Sequence, residues 1–318
     1  MESTVRGSDM GWRRGIVIGL LALFAAGAAQ AATLEVGPDK PFKKPSEAIA
    51  AAKAGDTVSI APGQYFDCAI VRQDKLTIQG SAPGAVLTDL TCMGKALLVT
   101  VGNDITVRNL TLQRARVPDR NGAGIRAEGD NLTVENVHFI NNEEGVLAGA
   151  KPDSTIRIIG SEFTHNGTCE GGGGCAHGIY VGHIHLLQVE HSRFFDTQSA
   201  HSIKSEALVT EVTDCDIEDG PAGTSSYQID IPSGGSLIAE GNKLEKGPQA
   251  ENHAFAISIG EGGVRQPTDK IEIRNNTFIN DNEHPTTFVH NLTATPAQLV
   301  GNKFTGQVRP LEGDGSSS

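Results

Sequence analysis

Four short runs can be written one above another: His177-Gly-Ile-Tyr-Val-Gly-His183, His201-Ser-Ile-Lys-Ser-Glu-Ala207, Tyr227-Gln-Ile-Asp-Ile-Pro-Ser233 and Phe255-Ala-Ile-Ser-Ile-Gly-Glu261. Each carries apolar or small residues at alternate positions, Ile179/Val181, Ile203/Ser205, Ile229/Ile231 and Ile257/Ile259. That is the period of a strand with one buried face. The residue between each pair then faces the other way, and parallel stacking makes the outward column Tyr180, Lys204, Asp230, Ser258. A one-residue slip would turn Lys204 inward, so any site built on this column rests on the alternation.

Similar strands recur along the whole chain. Leu76-Thr-Ile78, Ile105-Thr-Val107, Leu132-Thr-Val134, Ile156-Arg-Ile158, Leu187-Gln-Val189, Leu237-Ile-Ala239 and Ile271-Glu-Ile273 are separated by roughly two to three dozen residues, the spacing of a solenoid. A turn residue and a second apolar stretch follow most of them, as in Asn109-Leu-Thr-Leu112, Asn136-Val-His-Phe139 and Asn302-Lys-Phe304. Asn suits such a corner because it tolerates left-handed backbone and its amide can bond its copies in neighbouring coils. A third strand completes each coil, which predicts about ten coils in one all-β domain, no single coil burying its own apolar face.

The ends read differently. Arg13-Arg14 precede an apolar run from Ile16 to Ala26, and Ala29-Gln30-Ala31 fits a small-residue cleavage site; residues 1–31 are read as a signal peptide, too short in its apolar part to span a membrane. The β-helix domain is expected over 32–308, and a disordered tail over 309–318, where Gly-Asp-Gly-Ser-Ser-Ser closes the chain. Export is the expected route, to the periplasm or the outside. The five cysteines suit that setting: Cys169 and Cys175 flank a glycine loop, Cys68 and Cys92 fall on successive coils, and Cys215 is left at an inward position.

The net charge of −12 contains Arg6, Arg13, Arg14, Glu2 and Asp9 of the leader, so the mature chain carries −13 (23 basic against 36 acidic residues). Such a chain repels nucleic acid and anionic membranes. It also repels an acidic polysaccharide over long range, so holding one requires a local basic cluster or a bound cation.

Near the N-terminus, Pro45-Ser-Glu-Ala-Ile-Ala-Ala-Ala52 reads as a short helix capped by Ser46, with Ala48, Ile49 and Ala52 as its apolar stripe, followed by Gly55-Asp-Thr-Val58 and Pro62-Gly-Gln-Tyr65. This opening, with the repeat behind it, resembles the N-terminal cap of right-handed parallel β-helix proteins, the pectate-lyase-like superfamily. The resemblance implies a right-handed parallel β-helix with carbohydrate chemistry on its surface. Ile203-Lys-Ser-Glu206 is similar to the lysine-serine segment that carries the base in β-helix alginate lyases. The chain departs from that family on the next coil, where Asp230 stands in place of an arginine, and the Asp-Pro-His-Asp run of β-helix mannuronan epimerases is absent.

Insertions at Arg114–Asn121, Thr168–Ala176 and Glu261–Thr268 are placed to wall a cleft over this column. Three readings follow. In the first, a polysaccharide lyase acts on a uronate polymer as a monomer: Lys204 is the base, Tyr180 or His201 supplies the proton to the leaving oxygen, and Asp230 belongs to the same catalytic group. Arg126, His177, His183, Gln228 and Ser258 would bind substrate, and Asp230, Glu206 and Glu261 could hold a calcium ion. In the second, Asp230 and Glu206 form the carboxylate pair of an inverting glycoside hydrolase. The third is a glycan-binding β-helix without catalysis, with Lys204 and Asp230 an ordinary cross-strand ion pair.

Overall fold

The computed structural model describes residues 1–5, 7, 31–171 and 174–318. The apolar run of the expected signal peptide lies outside the described residues. From Thr33 onward the chain winds through three parallel sheets of twelve, ten and ten strands. Each turn visits the three sheets in the same order, as in Ile105–Arg108, Thr111–Gln113 and Ala123–Ala127. Ten coils result, with one extra strand of the first sheet at each end.

Alternation converts directly into the core. In the first sheet Val58, Ile78, Val107, Val134, Ile158, Val189, Val212, Ala239, Ile273 and Leu299 form one register column, and all are buried. Each large aliphatic side chain so placed contributes about 1.5–3 kcal/mol. In the second sheet Phe139, Phe163 and Phe194 stack in register with centroids 4.5 Å apart. Polar corners use the other device: Asn242, Asn276 and Asn302 bond each other's side chains down the solenoid at 2.9 Å. Asn109, Asn136 and Asn275 take positive φ at the exposed corner, as the turn chemistry predicts.

The N-terminal helix is Pro45–Ala51, and Ala48, Ile49 and Ala52 are buried. Ser46 is not its cap. Proline takes the first helical position, Lys44 precedes it as N-cap, and Ser46 donates its hydroxyl and N–H to Asp67; Pro suits that first position because its missing N–H has no intrahelical partner there. The 309–318 segment is a second correction, since Val308–Gly313 and Gly315–Ser317 pair in parallel on the preceding coil. Open sheet edges supply backbone partners that composition does not reveal. Cys68–Cys92 and Cys169–Cys175 are disulfides and Cys215 is a buried free thiol. Among the described residues no helix is long and apolar enough to cross a membrane.

Candidate active site

The third sheet carries the site. Its register pairs Tyr180 with Lys204, Lys204 with Asp230, Asp230 with Ser258 and Ser258 with His290. Upstream, the same column continues through Leu147 to Arg126. Ile203 and Ser205 are buried on either side of Lys204, so Lys204 faces outward.

Strict alternation fails at the corner before these strands. Gly124, Gly145 and Gly178 occupy an inward corner position, and a Cβ there would meet Phe139, Phe163 and Phe194 at 2.6, 2.7 and 3.4 Å. Phe139 and Phe163 therefore require glycine above them, and at Gly178 the close neighbour is the Ser202 carbonyl at 2.5 Å. Because this corner residue turns inward, the residue before it turns outward, and His177, His201 and Tyr227 form a second column facing the same way as Tyr180. Their rings stack at 4.8 and 4.9 Å, and His177 meets Tyr180 edge-on at 5.6 Å. Gln228, expected on the binding surface, falls at the inward corner instead. It is fully buried, with Nε2 donating to Asp219 and Ser225, so it is not open to a ligand.

The two histidines are set by backbone. The N–H of His201 donates to Nδ1 of His177, and the N–H of Tyr227 donates to Nδ1 of His201, each at 3.2 Å. Both rings are thereby Nε2–H tautomers. Burial, with the nearby Lys204 and Lys246 charges, pushes His201 down to about 3, and burial drives His177 well below the usual range. His201 Nε2 points at Asp230 Oδ2 at 3.5 Å. A neutral ring so placed carries no surplus proton.

Lys204 and Asp230 are not an ordinary ion pair. Among the described residues Lys204 has no salt-bridge partner, and its ammonium lies 4.9 Å from the Tyr180 ring centroid, a cation–π contact. Asp230 is 4% exposed with Oδ1 unpartnered. Burial pushes its carboxyl up to about 7 against the pull of Lys204, with Glu261 and Glu206 adding to the push. Tyr180 donates to Glu206 Oε1 at 3.1 Å; burial, then that carboxylate, raises the phenol to about 12. The buried carboxyl of Glu144, which stands next to His177 in the second column, is raised well above the usual range by burial while Lys204 and Arg126 pull it down.

A cleft of about 470 Å³ lies on the Arg126 side of Lys204; Arg126, Glu144, Leu147, Tyr180, His183 and Glu206 line it, with the Asp119–Asn121 segment on its wall. Arg126 presents a buried, unpartnered Nε, 3.9 Å from Glu128. Glu261 accepts hydrogen bonds from Tyr227 (2.6 Å) and Ser258 (3.0 Å), which buries Ser258 completely and removes it from the expected binding surface. Glu206, Asp230 and Glu261 are thus engaged separately. Among the described residues no three His, Cys, Asp or Glu side chains gather as a metal site, so the donors do not fit the expected calcium cage.

Sequence reading missed Glu144 and Arg265. Glu144 starts a strand whose apolar part alone attracts notice, and Arg265 sits in an insertion without periodicity. Its guanidinium donates to Ser233 Oγ and the Gly262 carbonyl, and its charge favours the Tyr180 phenolate.

Among solved structures the chain is similar to an alginate lyase from Paenibacillus sp. str. FPU-7. The TM-score is 0.62 at 15% identity over 88% of this chain and 99% of that one. It is also similar to the pectate lyase Pel9A, with TM-score 0.51 at 13% identity over 92% and 78%. At these identities the likeness is one of fold. No curated protein matches the sequence. The family model described as "Right handed beta helix region" matches residues 150–315, and the chain, with its ten stacked coils, belongs to that right-handed β-helix family.

Proposed function

We propose that the protein cleaves a uronate-containing polysaccharide by β-elimination, with Lys204 as base and Tyr180 as proton donor. The observation that carries this reading is that Lys204 has no carboxylate ion-pair partner among the described residues and stands next to Tyr180 in the register, Tyr180 itself lining the cleft. Similarity of fold to an alginate lyase and a pectate lyase supports the choice of polymer.

In the step itself the free amine of Lys204 takes the proton next to the uronate carboxylate. The electron pair released forms a carbon–carbon double bond, and the bond to the 4-linked sugar breaks. The departing oxygen takes the Tyr180 proton, which burial and Glu206 keep on the phenol at neutral pH; an alkoxide is more basic than this phenolate, so the transfer runs downhill. Asp230, next in the column, is the counter-charge for Lys204 once it is protonated. The charge of Arg265 favours negative charge building on Tyr180.

The test is ultraviolet absorbance of the unsaturated uronate on alginate and pectate, wild type beside Lys204→Ala. Loss of a general base removes about 10²–10⁴-fold of rate. Absorbance that grows equally with the variant, or new reducing ends without absorbance and dependent on Asp230 and Glu206, would overturn elimination in favour of hydrolysis or another base.

A further inference from the structure

We propose that the cleft is closed at one end and takes the end of a polysaccharide chain, so that the protein cuts short pieces from chain termini and does not cut internally. This rests on the elimination reading of Lys204.

The outward column of the third sheet changes character at Lys204. On one side Tyr180, and Arg126 two coils further, are partly exposed beside the cleft. On the other side Asp230 is 4% exposed and Ser258 is fully buried. The cover is the 261–268 insertion, which folds back across two coils. Arg265 and Gln266 donate their N–H groups to the Ser233 carbonyl, Gly262 donates to the Pro232 carbonyl, and the Gln266 amide donates to the Glu206 carbonyl. Glu261 then reaches the opposite column, accepting from the Tyr227 hydroxyl at 2.6 Å. The sequence after Gly247 runs close to this strand, the Glu251 N–H donating to the Thr224 carbonyl. The two columns are therefore bridged over Asp230 and Ser258, and a chain lying directly on that column meets this cover beyond Lys204.

At the closed end Glu206, Asp230 and Glu261 stand together, with Arg265 of the covering insertion beside them. At the open end the partly exposed Arg126 lines the cleft, three register steps from Lys204, or roughly 14 Å at one strand spacing per coil. A basic group there favours the carboxylates of the chain that extends outward. The lining thus fits a short stretch of acidic polymer that enters from the Arg126 side and ends just past Lys204.

Two measurements test this and separate it from the assignment of the base. With wild-type protein on alginate and pectate, absorbance of the unsaturated product is followed together with solution viscosity. Absorbance that grows while viscosity holds, with a single short product from the first time points, is expected. A collapse of viscosity at the start, with oligomers of many lengths, overturns the proposal. In the second arm Lys204→Ala is titrated onto each polymer, intact and after partial acid hydrolysis. Doubling the ends per gram is expected to double the protein bound at saturation; saturation that follows polymer mass, or no binding to either form, overturns it. Lys204→Ala that still eliminates while end-dependence persists would remove Lys204 as base and leave the closed cleft standing.

Discussion

Replacing Asp230 by Asn should stabilise the protein, and by an amount that depends on pH. The carboxyl is 6% exposed, Oδ1 is unpartnered, and the pKa stands at about 7 against 3.8 for an unperturbed aspartate. Below pH 3.8 the group is protonated whether the chain is folded or unfolded, so folding costs nothing on its account. As pH rises toward 7 the unfolded chain ionises freely while the folded one resists, and stability is lost; above the folded value the loss is complete. Each decade of proton affinity is worth about 1.36 kcal/mol, so the cost at mildly alkaline pH is about 4 kcal/mol. Asn keeps the shape without that cost. Urea unfolding followed by far-ultraviolet circular dichroism, wild type against Asp230→Asn across a pH series, reads the effect. The difference taken at each pH removes contributions common to both proteins. The variant should match wild type near pH about 4 and exceed it by up to about 4 kcal/mol above pH about 8. A difference that is flat with pH, or greatest in acid, would refute the picture of a buried carboxyl held above its usual range. The same substitution is expected to slow elimination, since the protonated Lys204 would lose its counter-charge, a stability–activity trade-off.

Phe163→Ala, in the middle of the buried ring stack, should cost about 3–5 kcal/mol, while Phe66→Ala, at 58% exposed, should stay within about 0.5 kcal/mol; thermal unfolding of the pair checks this. The Cys68–Cys92 bridge closes a separation of 24 residues and Cys169–Cys175 one of 6. Paired Cys→Ala variants should therefore lose about 3 and about 2 kcal/mol respectively. Equal losses in denaturant midpoint would argue against loop entropy as the source.

The strands, their parallel stacking, the number of coils and the outward direction of Lys204 were all legible from period-two alternation, because each of these follows from which side chains must leave water. The disulfide partners were legible from spacing along the repeat. The site was legible only in part. Tyr180, Lys204 and Asp230 share a column because register follows the same alternation, yet Gln228 turns inward and His177, His201 and Tyr227 turn outward. The reason is a corner residue, Gly124, Gly145 and Gly178 in three coils and Ser202 and Gln228 in the next two, that turns inward and reverses the parity. Likewise nothing local in 309–318 announces strands, since their partners are edge backbone groups supplied by a coil already formed.

The sequence by itself determined which strand apolar residues are buried and therefore the solenoid, since the hydrophobic pattern repeats with the strand period. Tertiary structure alone decided the states of the site groups and the shape of the cleft. The raised Asp230, the neutral His201 and the closure by Glu261 depend on burial and on contacts between residues up to 60 positions apart, such as Gln266 with Glu206. No period in the sequence encodes those contacts.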